Sequence, residues 1–180
     1  MNIDRLTHLP ERKQRELQRV AAILFDEFEE VQKTKLSEKS KRGRILKLIL
    51  FGSYARGDWV EDRKSGYLSD YDLLVIVNYS HFADHTYEEV NSQLAQGRPF
   101  FVDIARDGIV LCELKGYPLA SPKSLEPDEA RAEAKRHFEQ WFPDTTELIA
   151  GSKFYQKRGN LNLAAFQLHQ ATERLYHSVL

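Results

Sequence analysis

With 180 residues and 26 Lys and Arg against 27 Asp and Glu, the chain has room for one substantial domain, or one plus part of another, and too little net charge to trap polyanions as a whole molecule. The single cysteine, Cys112, excludes an internal disulfide, and no apolar run approaches the roughly 20 residues that span a bilayer. The polar N-terminus lacks an apolar signal core, so the expected compartment is the cytoplasm, without a membrane partner.

After Pro10 the pattern is helical. Leu17, Val20, Ala21, Leu24, Phe25, Phe28 and Val31 fall at three- and four-residue spacings and make one apolar stripe, so a helix is expected over residues 10 to 33. Six basic residues then lie between Lys33 and Arg44. No aromatics interleave for base stacking, so this stretch reads as a solvated connection, and nucleic-acid binding is left open. "ILKLILF" (Ile45 to Phe51) and "YDLLVIV" (Tyr71 to Val77) read as strands, the second of the kind buried on both faces.

"HTYEEVNSQLAQG" reads as a helix closed by Gly97. "FFVDIARDGIVLCEL" is expected to give a third strand, a turn at Asp107-Gly108 and a fourth strand. Strands mixed with helices over residues 1 to 117 indicate an α/β or α+β domain. A proline-rich linker follows at residues 118 to 126. The rest is helical: Pro127 to Phe142 closed by Pro143, a second helix over roughly Asp144 to Lys157, and a third from Leu161 onward. The last carries a broad apolar face with no stop signal before Leu180. Two or three helices bury such a face poorly, so an incomplete helical region that associates with a partner is expected.

Between the first two strands lies "LFGSYARGDWVEDRKSGYLSDYDLLV". Side chains alternate along a strand, so Asp70 and Asp72 are expected on one side, about 7 Å apart. Two such carboxylates suit a divalent cation that also takes waters and substrate phosphates. Gly52 lets backbone approach a ligand closely; Ser53 at a helix start offers N–H groups and a hydroxyl, and Arg56 one turn on can neutralise a phosphate. Together these predict a nucleoside triphosphate held at Gly52, Ser53 and Arg56, with Asp70 and Asp72 as metal ligands and catalytic carboxylates.

These residues resemble a family. "LFGSYARGDW…SDYDLLV" is similar to the nucleotidyltransferase superfamily of DNA polymerase beta in its minimal bacterial form, over roughly residues 40 to 115. The resemblance implies an α+β fold with a small mixed sheet and flanking helices. It also implies magnesium or manganese as cofactor and transfer of a nucleoside monophosphate from an NTP, ATP being expected, to an acceptor hydroxyl on a protein, an RNA end or a small molecule. The spacer between Ser53 and Asp70 is 16 residues, longer than in compact members. The family's third carboxylate is not evident after Val77, and Asp103 is the candidate to replace it as a metal ligand. The segment from about Pro127 to Leu180 resembles the start of a HEPN domain. That implies a toxin–antitoxin-type setting, with a HEPN-type partner or a homodimer formed through the C-terminal helices. The alternative is an inactive nucleotide-binding, antitoxin-like module acting through those helices.

Other groupings carry less. His81 and His85 around Asp84 read as a solvated loop, and His169, Glu173 and His177 as a polar seam of a helical interface. Trp141 and Phe142 read as packing anchors; Tyr54 and Tyr71 as either base-stacking or core residues. Arg131 and His137 have the spacing of a HEPN ribonuclease signature but not its place, so no ribonuclease activity is expected.

Overall fold

The computed structural model describes residues 3–33, 43–62, 64, 66–78 and 85–179. The basic stretch at residues 34–42, and His81 and Asp84, lie outside the described residues. Among the described residues no helix is long and apolar enough to cross a membrane. The chain divides into two compact units, Met1–Lys123 and Ser124–Leu180.

The first unit is mixed α/β. A short 3-10 turn (Ile3–Leu6) precedes helix α1 (Glu11–Lys33), then strand β1 (Ile45–Phe51) and a five-residue helix α2 (Gly52–Arg56). The small strands β2 (Glu61–Asp62) and β3 (Tyr67–Leu68) form a hairpin that folds up the long spacer before β4 (Asp72–Val77). Helices α3 (Tyr87–Ala95) and α4 (Pro99–Asp107) lead to β5 (Ile109–Glu113).

The sheet order is β4-β1-β5, with β1 antiparallel to both neighbours. The expected mixed character is confined to one parallel bridge, Val77 to Thr86. β1 is buried on both faces because its side chains alternate between two cores. Leu48 and Leu50 join Leu6, Leu9, Leu17, Ala21, Tyr54 and Leu111 under α1, while Ile49 joins Leu74, Ile76, Val90, Leu94 and Ile104 under α3 and α4. Helices on both faces explain why β1 and β4 read as nearly continuous apolar runs.

Two expectations are corrected here. "FFVD" is not a strand but the opening of α4. Pro99 stands in its first turn, where the missing N–H costs nothing, and Phe101 and Ile104 present a three-residue helical spacing to the sheet. Aromatic and branched residues suggested β structure, but tertiary burial on a helix face prevailed. β5 follows at once, because Gly108 N–H caps the helix on the Ile104 carbonyl at 2.9 Å and a Cβ there would collide with that carbonyl.

The proline-rich segment after β5 is irregular but pinned to α3. Tyr87 donates to the Pro118 carbonyl, Ala120 N–H to Asn91, and Lys123 N–H to the Leu94 carbonyl. The second unit is a helical hairpin, α5 (Pro127–Lys157) and α6 (Leu161–Val179). The second correction is that α5 runs unbroken through Pro143. An interior proline removes one backbone donor and strains one turn, at a cost of about 3 kcal/mol. Pairing along α6 offsets it: Ser152 donates to the Ala164 carbonyl at 2.9 Å, and the Arg174 guanidinium lies 4.6 Å over the Trp141 ring. The turn uses Gly159 at φ 74° and Asn160, whose side chain accepts from Leu163 N–H. Phe138, Phe142, Phe154, Phe166, Leu168 and Tyr176 remain exposed on this hairpin.

A candidate nucleotide and metal site

β1 delivers the chain to Gly52, whose φ of 69° lies in the left-handed region that favours glycine. In the β1–β4 ladder Phe51 faces Asp72, so the Asp72 carboxylate falls against Gly52. A Cβ on residue 52 would collide with that carboxylate. α2 then turns the chain sharply, and Gly57 closes it at φ 85°, donating to the Ser53 carbonyl at 2.9 Å. The N-cap residue, Phe51, offers no side-chain cap to the first N–H groups of α2.

The acid pair departs from its expected placement. β4 starts at Asp72, and Asp70 precedes it as an exposed residue, so the two do not alternate along one strand. They are still electrostatic neighbours. Burial first, and then the Asp70 charge, raise the Asp72 carboxyl above the usual carboxylate range, with Arg56 opposing them. A half-buried carboxylate with raised proton affinity, beside a second carboxylate, is a place where a cation relieves repulsion. That donor set fits a hard divalent ion retaining water and phosphate oxygens.

Arg56 is half-exposed and lies 3.3 Å from Asp58. Its charge acts on Asp72 and also on Asp107, whose carboxyl is lowered mainly by hydrogen bonds from Arg106. Asp103 belongs to α4 rather than to a strand; it is exposed and ion-paired with Arg106 at 2.9 Å. Among the described residues no three His, Cys, Asp or Glu side chains converge on a metal position, so Asp103 is not gathered with Asp70 and Asp72.

Of the two readings of Tyr54 and Tyr71, core packing prevails. Tyr54 is 1% exposed and stacks on Trp59 at 5.2 Å, while Tyr71 lies 4.3 Å from the Tyr54 ring. The Tyr71 hydroxyl donates to Glu16 Oε2 at 2.6 Å, and burial together with that carboxylate pushes its pKa up and keeps it a donor. Lys13 lies in the middle of these rings, a placement that helix periodicity alone did not flag. Its only trace in the sequence is that residues 13, 17 and 21 share one face of α1.

Comparison with known proteins finds a matching family and a partial relative. The nucleotidyltransferase domain family matches residues 29–117. A Methanocaldococcus jannaschii protein named "putative protein adenylyltransferase" is 51% identical over 49 residues, which are 26% of this chain and 43% of the relative. The match thus spans less than half the length of that relative. No solved structure matches significantly. The family match covers just under half of the chain, residues 29–117 of 180, so membership and activity are taken up as a proposal below.

Proposed function

We propose that the first unit transfers a nucleoside monophosphate, AMP from ATP by preference, to a protein hydroxyl. The observation that supports this reading is the seat of the Asp72 carboxylate against Gly52, at the start of the turn into α2. The named activity of the M. jannaschii relative favours a protein acceptor over an RNA end or a small molecule.

In this reading Gly52 and Ser53 hold the triphosphate through backbone N–H groups and the serine hydroxyl, and Arg56 neutralises phosphate charge. The acceptor oxygen attacks the α-phosphorus, the bond to the β-phosphate oxygen breaks, and pyrophosphate leaves while the acceptor proton passes to solvent. Asp70 and Asp72 would hold magnesium or manganese, which supplies charge neutralisation at the transferred phosphoryl group. A third ligand position would be left to water.

The helical unit has a role of its own in the proposal: its exposed apolar side chains suit association with a HEPN-type partner or a second copy, as in a toxin–antitoxin pair. If the chain acts only through that association, nucleotide binds without turnover. Incubation with ATP labelled at the α- or the γ-phosphate separates the readings. Transfer predicts covalent label on protein from the α-position alone, absent in Asp70→Ala/Asp72→Ala. Absence of label in the parent chain would leave only the binding role.

A further inference from the structure

We infer that Lys13, on a helix that begins ahead of the matched domain, is a positioning residue holding the Gly52–Ser53 turn and the Asp70–Tyr71–Asp72 segment in one fixed relation. The inference rests on reading those two segments as the phosphate and metal halves of one site.

Lys13 has an almost buried side chain, 8% exposed. Its ammonium lies 5.2 Å from the ring centroid of Tyr54, 5.3 Å from that of Tyr71 and 5.7 Å from that of Trp59. Tyr54 follows Ser53 directly, and Tyr71 stands between the two aspartates. One cation therefore grips both halves of the site through their immediate neighbours. Carboxylates at Glu16, 3.5 Å away, and Glu61, 4.0 Å away, are shared with Arg12, which lies closer to both at 2.8 and 2.7 Å. Glu16 also accepts the Tyr71 hydroxyl, so the strand is tied to α1 twice.

Filling this space needs no charge. A methionine has similar length and would avoid desolvating an ammonium, which is costly without compensation. What the cation adds is direction: its ammonium pairs with the Tyr54 hydroxyl and lies against the Tyr71 and Trp59 rings, contacts that an uncharged side chain does not reproduce. Tyr54 and Tyr71 are thereby held in the orientation that brings Asp72 against Gly52. α1 carries Lys13 rigidly because Leu17 and Ala21, one and two turns on, are anchored in the core.

The test uses the full chain without nucleotide and compares Lys13→Met and Lys13→Arg with the parent. Amide exchange in Lys13→Met is expected to quicken about tenfold over Gly52–Gly57 and Tyr71–Leu73, with β5 unchanged. Manganese affinity, read by electron paramagnetic resonance, is expected to weaken about tenfold in Lys13→Met and to return to near the parent value in Lys13→Arg, whose guanidinium also stacks on rings. An even rise in exchange across the first unit, or a folded Lys13→Met with unchanged manganese affinity, would overturn the inference and leave Lys13 a packing residue. If the parent chain binds no manganese, the metal reading fails while the exchange arm still decides the role of Lys13. Should Lys13→Met not fold, Lys13→Gln, uncharged but still polar, takes its place. A rise in exchange confined to Gly52–Gly57 and Tyr71–Leu73 supports the inference, and a uniform rise or none overturns it.

Discussion

Replacing Gly52 by alanine separates a backbone effect from a site effect. At φ 69° any residue with a Cβ meets the left-handed penalty, about 1–2 kcal/mol. The Asp72 carboxylate occupies the space of the new Cβ, and its Cγ would lie 2.9 Å away, so the whole short side chain must rotate. Forcing a side chain off its rotamer adds about 0.5–1.5 kcal/mol, for a total of about 1.5–3.5 kcal/mol. Gly116 is the control: its φ is 95° and a Cβ there meets nothing within 4 Å, so Gly116→Ala carries the backbone cost alone. The entropy that alanine removes from the unfolded chain is common to both variants and cancels. Urea unfolding in a Trp141→Phe background, where Trp59 alone reports on the first unit, measures both. Gly52→Ala is expected to lose about 1 kcal/mol more than Gly116→Ala and to lose manganese binding as well. Equal losses with intact manganese binding would refute the packing of Asp72 on Gly52.

Pro143→Ala should stabilise the second unit by about 1–3 kcal/mol, measured by urea unfolding followed at Trp141, because α5 regains a donor; destabilisation would mean that the chain turns at Pro143. Leu17→Ala, at a position with no exposure, should cost the first unit about 2–5 kcal/mol and leave the second unit's transition in place, as separate calorimetric peaks would show. The Glu16 carboxyl is depressed, chiefly by the Tyr71 hydroxyl and then by Lys13 and Arg12, so its stabilisation is full above the unfolded carboxylate value and is lost as pH falls through the folded one. Tyr71→Phe should therefore flatten the acid-side fall in stability, and an unchanged acid profile would count against the Tyr71–Glu16 bond. Asp72 has the opposite sign: its raised carboxyl makes the ionised form destabilising above the carboxylate range. Asp72→Asn should then be at least as stable as the parent at neutral pH without metal; a marked loss there would show that the charge is already compensated.

Periodicity made much of the architecture legible. The α1 stripe ends up with Leu17 and Ala21 in the core, and α3 stops at Gly97, whose φ of 70° is the left-handed turn its position suggested. β1 and β4 were visible because helices cover both faces of the sheet. Elements whose identity depends on distant contacts were not visible. "FFVD" has strand-like composition and becomes helical because Phe101 and Ile104 pack on the sheet. Pro143 looks like a stop and is carried through by contacts with α6 far along the chain, such as that of Trp141 with Arg174, 33 residues on. In the candidate site, glycine, serine and aspartates announced themselves by residue type. The start of β4 at Asp72 rather than before Asp70 did not, since it follows from pairing Phe51 with Asp72. Lys13 was hidden for a similar reason: a lysine on a helix reads as solvated until the rings that enclose it, 41 to 58 residues away, are placed around it.

The most direct measurement of the site itself is anomalous scattering from manganese in crystals grown with a non-hydrolysable ATP analogue. The predicted result is a manganese peak bonded to the carboxylates of Asp70 and Asp72, with triphosphate oxygens on the backbone N–H groups of Gly52 and Ser53. Manganese and triphosphate bound elsewhere on the first unit, with Asp72 still lying bare against Gly52, would contradict it.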